Sequence, residues 1–240
     1  MKKLFIYLSL FFSILVNSQE QKVDPVAILI LDKMSDLIGD LESCTFDLTS
    51  SDDALDPDYG WITHYSQSAI IFDGPNKMHV NRKGDEGNQG FWYNGEIVTY
   101  YSFDENNFVT IDAPETTLAT IDSLNKKYGT EIPAADFFYP AFTDDLLEAF
   151  PTILYLGKKG IGTKECYHIK ASNPEMEVQF WISDDTYNLP VRYNIVYKGK
   201  SHMQHESNFD NWDLNPNIPP SVFEFIPPKN AAEIKILAKK

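Results

Sequence analysis

The sequence predicts a mainly β protein of the α+β class, with about ten or eleven antiparallel strands and three helical segments. Apolar and polar side chains alternate through residues 177–198, as on a hairpin with one apolar face. Its apolar members are Val178, Phe180, Ile182, Tyr193, Ile195 and Tyr197. Helical segments interrupt the strands, and this favours a curled sheet with helices on its concave side over a two-sheet sandwich.

The three helices are predicted from their end signals. Asp24 is a good N-cap and Pro25 suits the first helical position, so the first helix follows residue 24. The second is PETTLATIDSLNKKYG, which stops at Gly129. In AADFFYPAFTDDLLEAF, Thr143 is expected to cap a short helix. The aromatic residues before it form a docked core segment, a lid hinged at Pro140 or a partner-docking patch.

The strands are predicted from alternation between turn signals. Residues 44–51, 61–72, 77–83, 153–156, 165–171, 177–183, 190–198 and 203–214 are strands, and FWYNGEIVTYYSF and FVTID supply the others. Asn94-Gly95 predicts a tight hairpin turn that pairs Trp92 with Ile97. Trp92 then shares a face with Ile97, Tyr101 and Phe103, and we expect that face to be the concave one. The Pro-rich tail carries Phe223 and Phe225 as apolar anchors.

The first eighteen residues have the pattern of a secretory signal peptide. Lys2 and Lys3 precede an apolar run over residues 4–16, which is too short to span a bilayer. We expect cleavage before Gln19, a soluble periplasmic protein, and a single domain over residues 19–240.

The chain is strongly acidic. Its formal charge is −15, and it becomes two units more negative if Lys2 and Lys3 are removed. Such a chain is repelled by phosphate backbones and by anionic membrane surfaces. Nucleic-acid binding and stable membrane insertion are therefore not expected.

Two cysteines, Cys44 and Cys166, would enter an oxidising compartment. Strand parity places Cys44 with Phe46 on one face and Cys166 with His168 on the other. We therefore expect two separate buried thiols rather than a disulfide, which needs converging Cβ atoms.

No motif for chemistry stands out. His202 and His205 are expected to be a solvated pair, GKKGIGTK a hairpin turn, and paired acidic residues such as Asp52-Asp53 to lie in loops. We therefore expect no enzymatic activity, no catalytic residue, no metal site and no cofactor.

The order of the elements resembles a family of predicted periplasmic proteins of unknown function, which is similar to the LolA/LppX-like lipoprotein-carrier superfamily. The resemblance runs from the helix DPVAILILDKMSDLIGDLES through FWYNGEIVTYY and FWISDDTYNLPVRYNIVYK to NWDLNPNIPPSVFEFIPP. It implies a curved antiparallel half-barrel, with helices covering the concave side around a cavity for an apolar ligand.

The resemblance leads to a functional hypothesis. The protein would be a soluble periplasmic carrier or binding protein for a lipid or acylated protein, acting by binding and release. The alternative is a cell-envelope interaction or sensor module with a peptide- or protein-binding groove, and a filled core without a cavity is also open. The expected ligand-binding residues are Trp92, Ile97, Tyr101, Phe103, Phe138, Phe142, Phe180, Ile182, Tyr193, Ile195 and Tyr197.

Overall fold

The structure is a computed structural model that describes residues 21–199 and 203–236. The predicted signal peptide, residues 1–18, and His202 lie outside the described residues. Within residues 21–199 and 203–236, thirteen strands form one sheet. They are β1 Lys22–Val23, β2 Ser43–Asp56, β3 Gly60–Asp73, β4 Lys77–Gly84, β5 Gly87–Tyr93, β6 Ile97–Ser102, β7 Asn107–Asp112, β8 Thr152–Ile161, β9 Lys164–Ser172, β10 Met176–Ser183, β11 Pro190–Tyr197, β12 Gln204–Leu214 and β13 Ala232–Glu233.

The sheet consists of two meanders joined side by side. Its strand order is β1-β8-β9-β10-β11-β12-β2-β3-β4-β5-β6-β7-β13. The pairing of β12 with β2 joins the meander β8–β12 to the meander β2–β7. The eleven predicted strands are confirmed as β2 to β12, all paired antiparallel, and the mainly β curved sheet is as expected. The two-residue strands β1 and β13 were not predicted, and they pair in parallel with the outermost strands.

In the described part of the chain, three α-helices accompany the sheet: α1 Pro25–Gly39, α2 Thr117–Tyr128 and α3 Phe142–Ala149. The Asp24 side chain accepts a hydrogen bond from the Val26 backbone N–H at 2.9 Å, which confirms the predicted cap of α1. Gly129 ends α2 in the left-handed conformation with φ of 70°, also as predicted.

The predicted start of α3 is wrong by two residues. The N-cap is Ala141, and Thr143 lies buried inside the helix. The reason is a preceding 3-10 turn, Ala135–Phe138, and a backbone hydrogen bond from Phe142 to Tyr139 across Pro140. Phe142 already has its backbone donor satisfied there, so the helix starts without a side-chain cap.

The helices cover one face of the sheet, which we call the inner face. Register places Phe46, Ile70, Val80 and Phe91 directly opposite one another across β2 to β5. These side chains are buried in one hydrophobic core with the inward residues of the helices. The helical members of that core are Ala27, Ile30, Leu31, Met34, Ile38, Ile121, Leu124, Phe142 and Leu146.

The opposite, outer face of β5 to β7 is also apolar. Because Phe91 and Tyr93 join the inner face through Val80 and Met78, Trp92 points outward. It shares that face with Ile97, Tyr101 and Phe103 as predicted, but the prediction that this set faces the concave side is wrong. The C-terminal segment covers it, with the Phe225 ring 5.0 Å from Trp92 and 5.3 Å from Tyr101. Alternation identifies residues that share a face, but both faces are apolar here.

The cysteines are buried, free and on opposite faces. Cys44 pairs with Phe72 on the inner face, and Cys166 is on the other face, opposite Ser183. Two separate buried thiols were predicted, and the prediction is confirmed. Burial raises the pKa of Cys44 to about 12, so this thiol stays protonated.

Candidate functional site

A cavity of about 900 Å³ lies between the helical cover and the inner face, and it opens to solvent. One wall comes from α2, the segment 130–139 and α3. The other wall comes from inward residues of β2, β10, β11 and β12. The long strands β2 and β3 extend under the opening and supply its polar floor.

Aromatic rings form the apolar end of the cavity. The Phe137 ring lies 5.1 Å from Phe142, 6.1 Å from Phe180 and 5.4 Å from Tyr193. Their edge-to-face and tilted contacts are the geometry that aromatic rings prefer. Leu146 and Val178 extend the same wall. This end can therefore accept a hydrocarbon chain without leaving a polar group unpaired.

A hydrogen-bonded network forms the polar end. His205 bonds through Nδ1 to the Asp52 carboxylate. Its Nε2 lies 2.8 Å from the Tyr193 hydroxyl and 3.0 Å from Ser207 Oγ. Ser207 Oγ also lies 2.6 Å from Ser50 Oγ. Each inward polar group of this cluster has a partner, as buried polar groups require.

The network contains a serine, a histidine and an aspartate in bonding contact, the residue types of hydrolase triads. Ser207, however, is only 1% exposed and does not line the cavity. A nucleophile must reach its substrate. The arrangement therefore orients His205 and Tyr193 at the cavity wall and keeps the Ser207 oxygen out of the cavity lining.

The surroundings shift the pKa values of two members of the network. Burial raises the pKa of Asp52, but the hydrogen bond and charge of His205, with the charges of Arg82 and His64, outweigh it and bring the pKa below its usual value. Burial raises the pKa of Tyr193 strongly. At neutral pH the cavity wall thus presents an ionised Asp52 and a protonated Tyr193.

The structure separates the predicted ligand-binding residues into three groups. Phe142, Phe180, Tyr193, Ile195 and Tyr197 line the cavity. Phe138 and Ile182 lie in or against the filled core, where Phe138 is 4.4 Å from Phe72 and Ile182 is fully buried. Trp92, Ile97, Tyr101 and Phe103 lie on the outer face, away from the cavity.

Several polar residues of the cavity were not predicted. Asp52 was expected in a loop, but β2 continues to Asp56 and places it on the inner face opposite His205. Arg82 lines the cavity from β4. Their signal in the sequence is parity, because Asp52 continues the alternation of Phe46, Leu48 and Ser50. Hydrophobicity alone does not indicate that Asp52 faces the cavity.

The part of the chain that the structure describes contains neither a metal-binding cluster nor a membrane-spanning helix. No group of three or more His, Cys, Asp or Glu side chains is arranged there to hold a metal ion. None of the described helices is long and apolar enough to cross a membrane.

The sequence matches the family model of the predicted periplasmic proteins (DUF2092) over residues 27–237. The chain belongs to this family. The match confirms the family predicted from the sequence. A comparison with curated proteins finds no match.

Solved structures share the architecture at low sequence identity. An uncharacterised conserved protein from Thermus thermophilus superposes with a TM-score of 0.50 at 10% identity, covering 87% of this chain and 98% of that one. The lipoprotein LppX of Mycobacterium tuberculosis gives 0.45 at 14% identity, covering 82% and 98%. A LolA superfamily protein from Nitrosomonas europaea gives 0.41 at 13%, covering 83% and 97%. At 10% identity, the likeness to the Thermus thermophilus protein concerns the fold alone.

Proposed function

We propose that this DUF2092 protein is a periplasmic carrier or binding protein for a hydrophobic ligand, acting by binding and release. The observation that carries the proposal is the cavity, which is open to solvent at one end and walled by aromatic and aliphatic side chains. Its volume of about 900 Å³ lies in the range of roughly 300–1,000 Å³ that small-molecule sites occupy.

The cavity differs from the filled core next to it. Many inward side chains of β2 to β6 are buried in one hydrophobic core with residues of α1, α2 and the 3-10 turn. By contrast, Ile195 and Tyr197 on β11 face the cavity, where Ile195 is half-buried and Tyr197 is exposed. A hydrocarbon chain in this space would remove apolar surface from water, at about 0.8 kcal/mol for each buried CH₂.

Binding is tested by native mass spectrometry of the protein purified from its own periplasm. A co-purifying lipid or acylated species supports the proposal. The matched variants are Ile195→Trp, which fills the cavity, and Val196→Trp, on the outer face of the same strand. We expect Ile195→Trp to lose most of the bound species and Val196→Trp to keep it, with similar melting temperatures.

Equal retention by both variants would place the bound species elsewhere and contradict the cavity as its site. Protein that carries no ligand, and instead captures a specific envelope protein through the groove, would contradict the carrier function in favour of an interaction module.

A further inference from the structure

Acidic side chains outnumber basic side chains in the lining of the cavity. The acidic residues that line it are Asp52, Asp53, Glu86, Asp122, Glu131, Asp136 and Asp145. Arg82 is the one lysine or arginine in the lining of the described residues, and its guanidinium lies 4.0 Å from Glu86. That pair is locally compensated, so the rest of the opening carries an excess of negative charge.

The carboxylates come from different elements and converge on the same space. Asp52 is on β2, while Glu131 and Asp136 lie on the segment between α2 and α3. Burial raises the pKa of Tyr197, and the charges of Glu131, Asp52 and Asp136 raise it further. Tyr197 and these three carboxylates all line the same cavity.

Glu131 and Asp136 line the cavity from the same segment between α2 and α3. Burial and the negative charge of Glu131 raise the pKa of Asp136. Within the described residues, no lysine or arginine nitrogen lies within 4 Å of the carboxylates of Glu131, Asp136 or Asp145. Two neighbouring acidic groups without a cation are a favourable place for a positive charge supplied by a ligand.

We propose that the cavity binds a lipid-like amphiphile whose head group is positively charged. The alkyl chain would lie against Phe142, Phe180 and Ile195, and the ammonium group would lie at the mouth between Glu131, Asp136 and Asp52. This inference rests on the proposed function and narrows its ligand class by charge complementarity.

The charge of the site disfavours the common anionic amphiphiles. A carboxylate or phosphate head group placed at the mouth would face the acidic groups at short range, where a partly buried site screens charge less than water does. An ammonium head group would instead be attracted by each of them. The chain's overall charge of −15 acts in the same direction.

The test compares three probes that share one twelve-carbon chain and differ in charge, measured by titration calorimetry at pH 7 and low salt. Dodecylamine is cationic, 1-monolaurin is neutral and dodecanoate is anionic. We expect dodecylamine to bind at least about tenfold more tightly than dodecanoate, which corresponds to about 1.4 kcal/mol. Butylamine, with the charge but a short chain, should bind far more weakly than dodecylamine.

The variant Glu131→Gln/Asp136→Asn tests the head-group site itself. It should weaken dodecylamine binding by about tenfold and leave monolaurin binding unchanged. The control Asp36→Asn/Glu148→Gln removes the same charge from exposed helical positions outside the cavity lining, and it should leave both affinities unchanged.

Two results would overturn the proposal, and they differ in their meaning. If dodecanoate binds as tightly as dodecylamine, or if both double variants behave alike, the head-group inference is wrong and the carrier function stands. If none of the three probes binds, both the inference and the carrier function are wrong.

Discussion

At the scale of single residues, the contact of Asp52 with His205 joins the two halves of the sheet. The two residues are directly opposite each other in the ladder between β2 and β12, where the two meanders meet. His205 is also hydrogen-bonded to Tyr193 on β11, and Ser207 is hydrogen-bonded to Ser50 on β2. A polar network therefore crosses the joint above a row of buried aromatic and aliphatic side chains.

Replacing Asp52 with asparagine should lower stability in a pH-dependent way. The pKa of Asp52 lies below its usual value in the folded state, so its carboxylate contributes stability above the unfolded pKa. That contribution is lost as pH falls through the folded pKa. We expect Asp52→Asn to lower the melting temperature by about 2–4 °C at pH 7, and the difference from the parent to shrink below pH 4 in scanning calorimetry.

His205→Gln serves as the partner in a double-mutant cycle. It removes the same contact from the other strand, so the two effects should be less than additive at pH 7. An Asp52→Asn effect that stays constant between pH 3 and pH 8 would show that the carboxylate charge does not stabilise the joint.

At the scale of elements, the sequence predicts strand existence well and the identity of the face poorly. The two strands within residues 177–198 alternate with Val196 as the exception, and Val178, Phe180 and Tyr193 face inward as expected. In β5 and β6 both faces are apolar. Parity therefore places Trp92 and Tyr101 on one face without indicating whether that face is the inner or the outer one. The missing information is non-local, because it depends on where the C-terminal segment packs. Asn94 and Glu224, which are joined by a hydrogen bond, lie 130 residues apart in the chain.

The C-terminal segment should contribute strongly to stability through one buried ring. Phe223 is 1% exposed in a 3-10 turn against the outer face, whereas Ile226, three residues later, is 83% exposed. We expect Phe223→Ala to cost about 3–5 kcal/mol in urea unfolding and Ile226→Ala to change the free energy of unfolding by less than about 0.5 kcal/mol.

Similar small losses at both positions would mean that the segment is not part of the cooperative fold. Near-ultraviolet circular dichroism adds a second readout, since loss of the segment would change the environment of Trp92, which contacts Phe225.

At the scale of the whole molecule, the sequence predicts the curved sheet and its helical cover. It does not decide whether a cavity lies between them. The eleven longer strands and the three helices depend on local patterns and are confirmed, apart from the start of α3. Whether the space under the helices is filled depends on how far α2 and α3 reach across the sheet, which local patterns do not encode. The core is filled under α1 and open beside β11, so filled core and cavity are both present.

Both outer edges of this large sheet are covered by short segments near the ends of the described chain. β1 pairs with β8 at one edge, and β13 pairs with β7 at the other. At the second edge, the Ala232 N–H donates to Asn106 at 3.0 Å and the Ile234 N–H donates to Phe108 at 2.7 Å. An uncovered edge strand presents unpaired backbone groups that can pair with another chain.

Removing residues 231–240 should therefore promote association while changing the fold little. The truncation removes β13 and exposes the backbone of β7, but it leaves Phe223 and Phe225 in place. We expect a larger apparent mass at high concentration in analytical ultracentrifugation, together with far-ultraviolet circular dichroism that matches the parent. The control lacks only residues 237–240, so it keeps β13 and should sediment as the parent does. If both truncated proteins sediment alike across the concentration range, β13 does not protect this edge, and the outward side chains of β7 must be sufficient to prevent pairing.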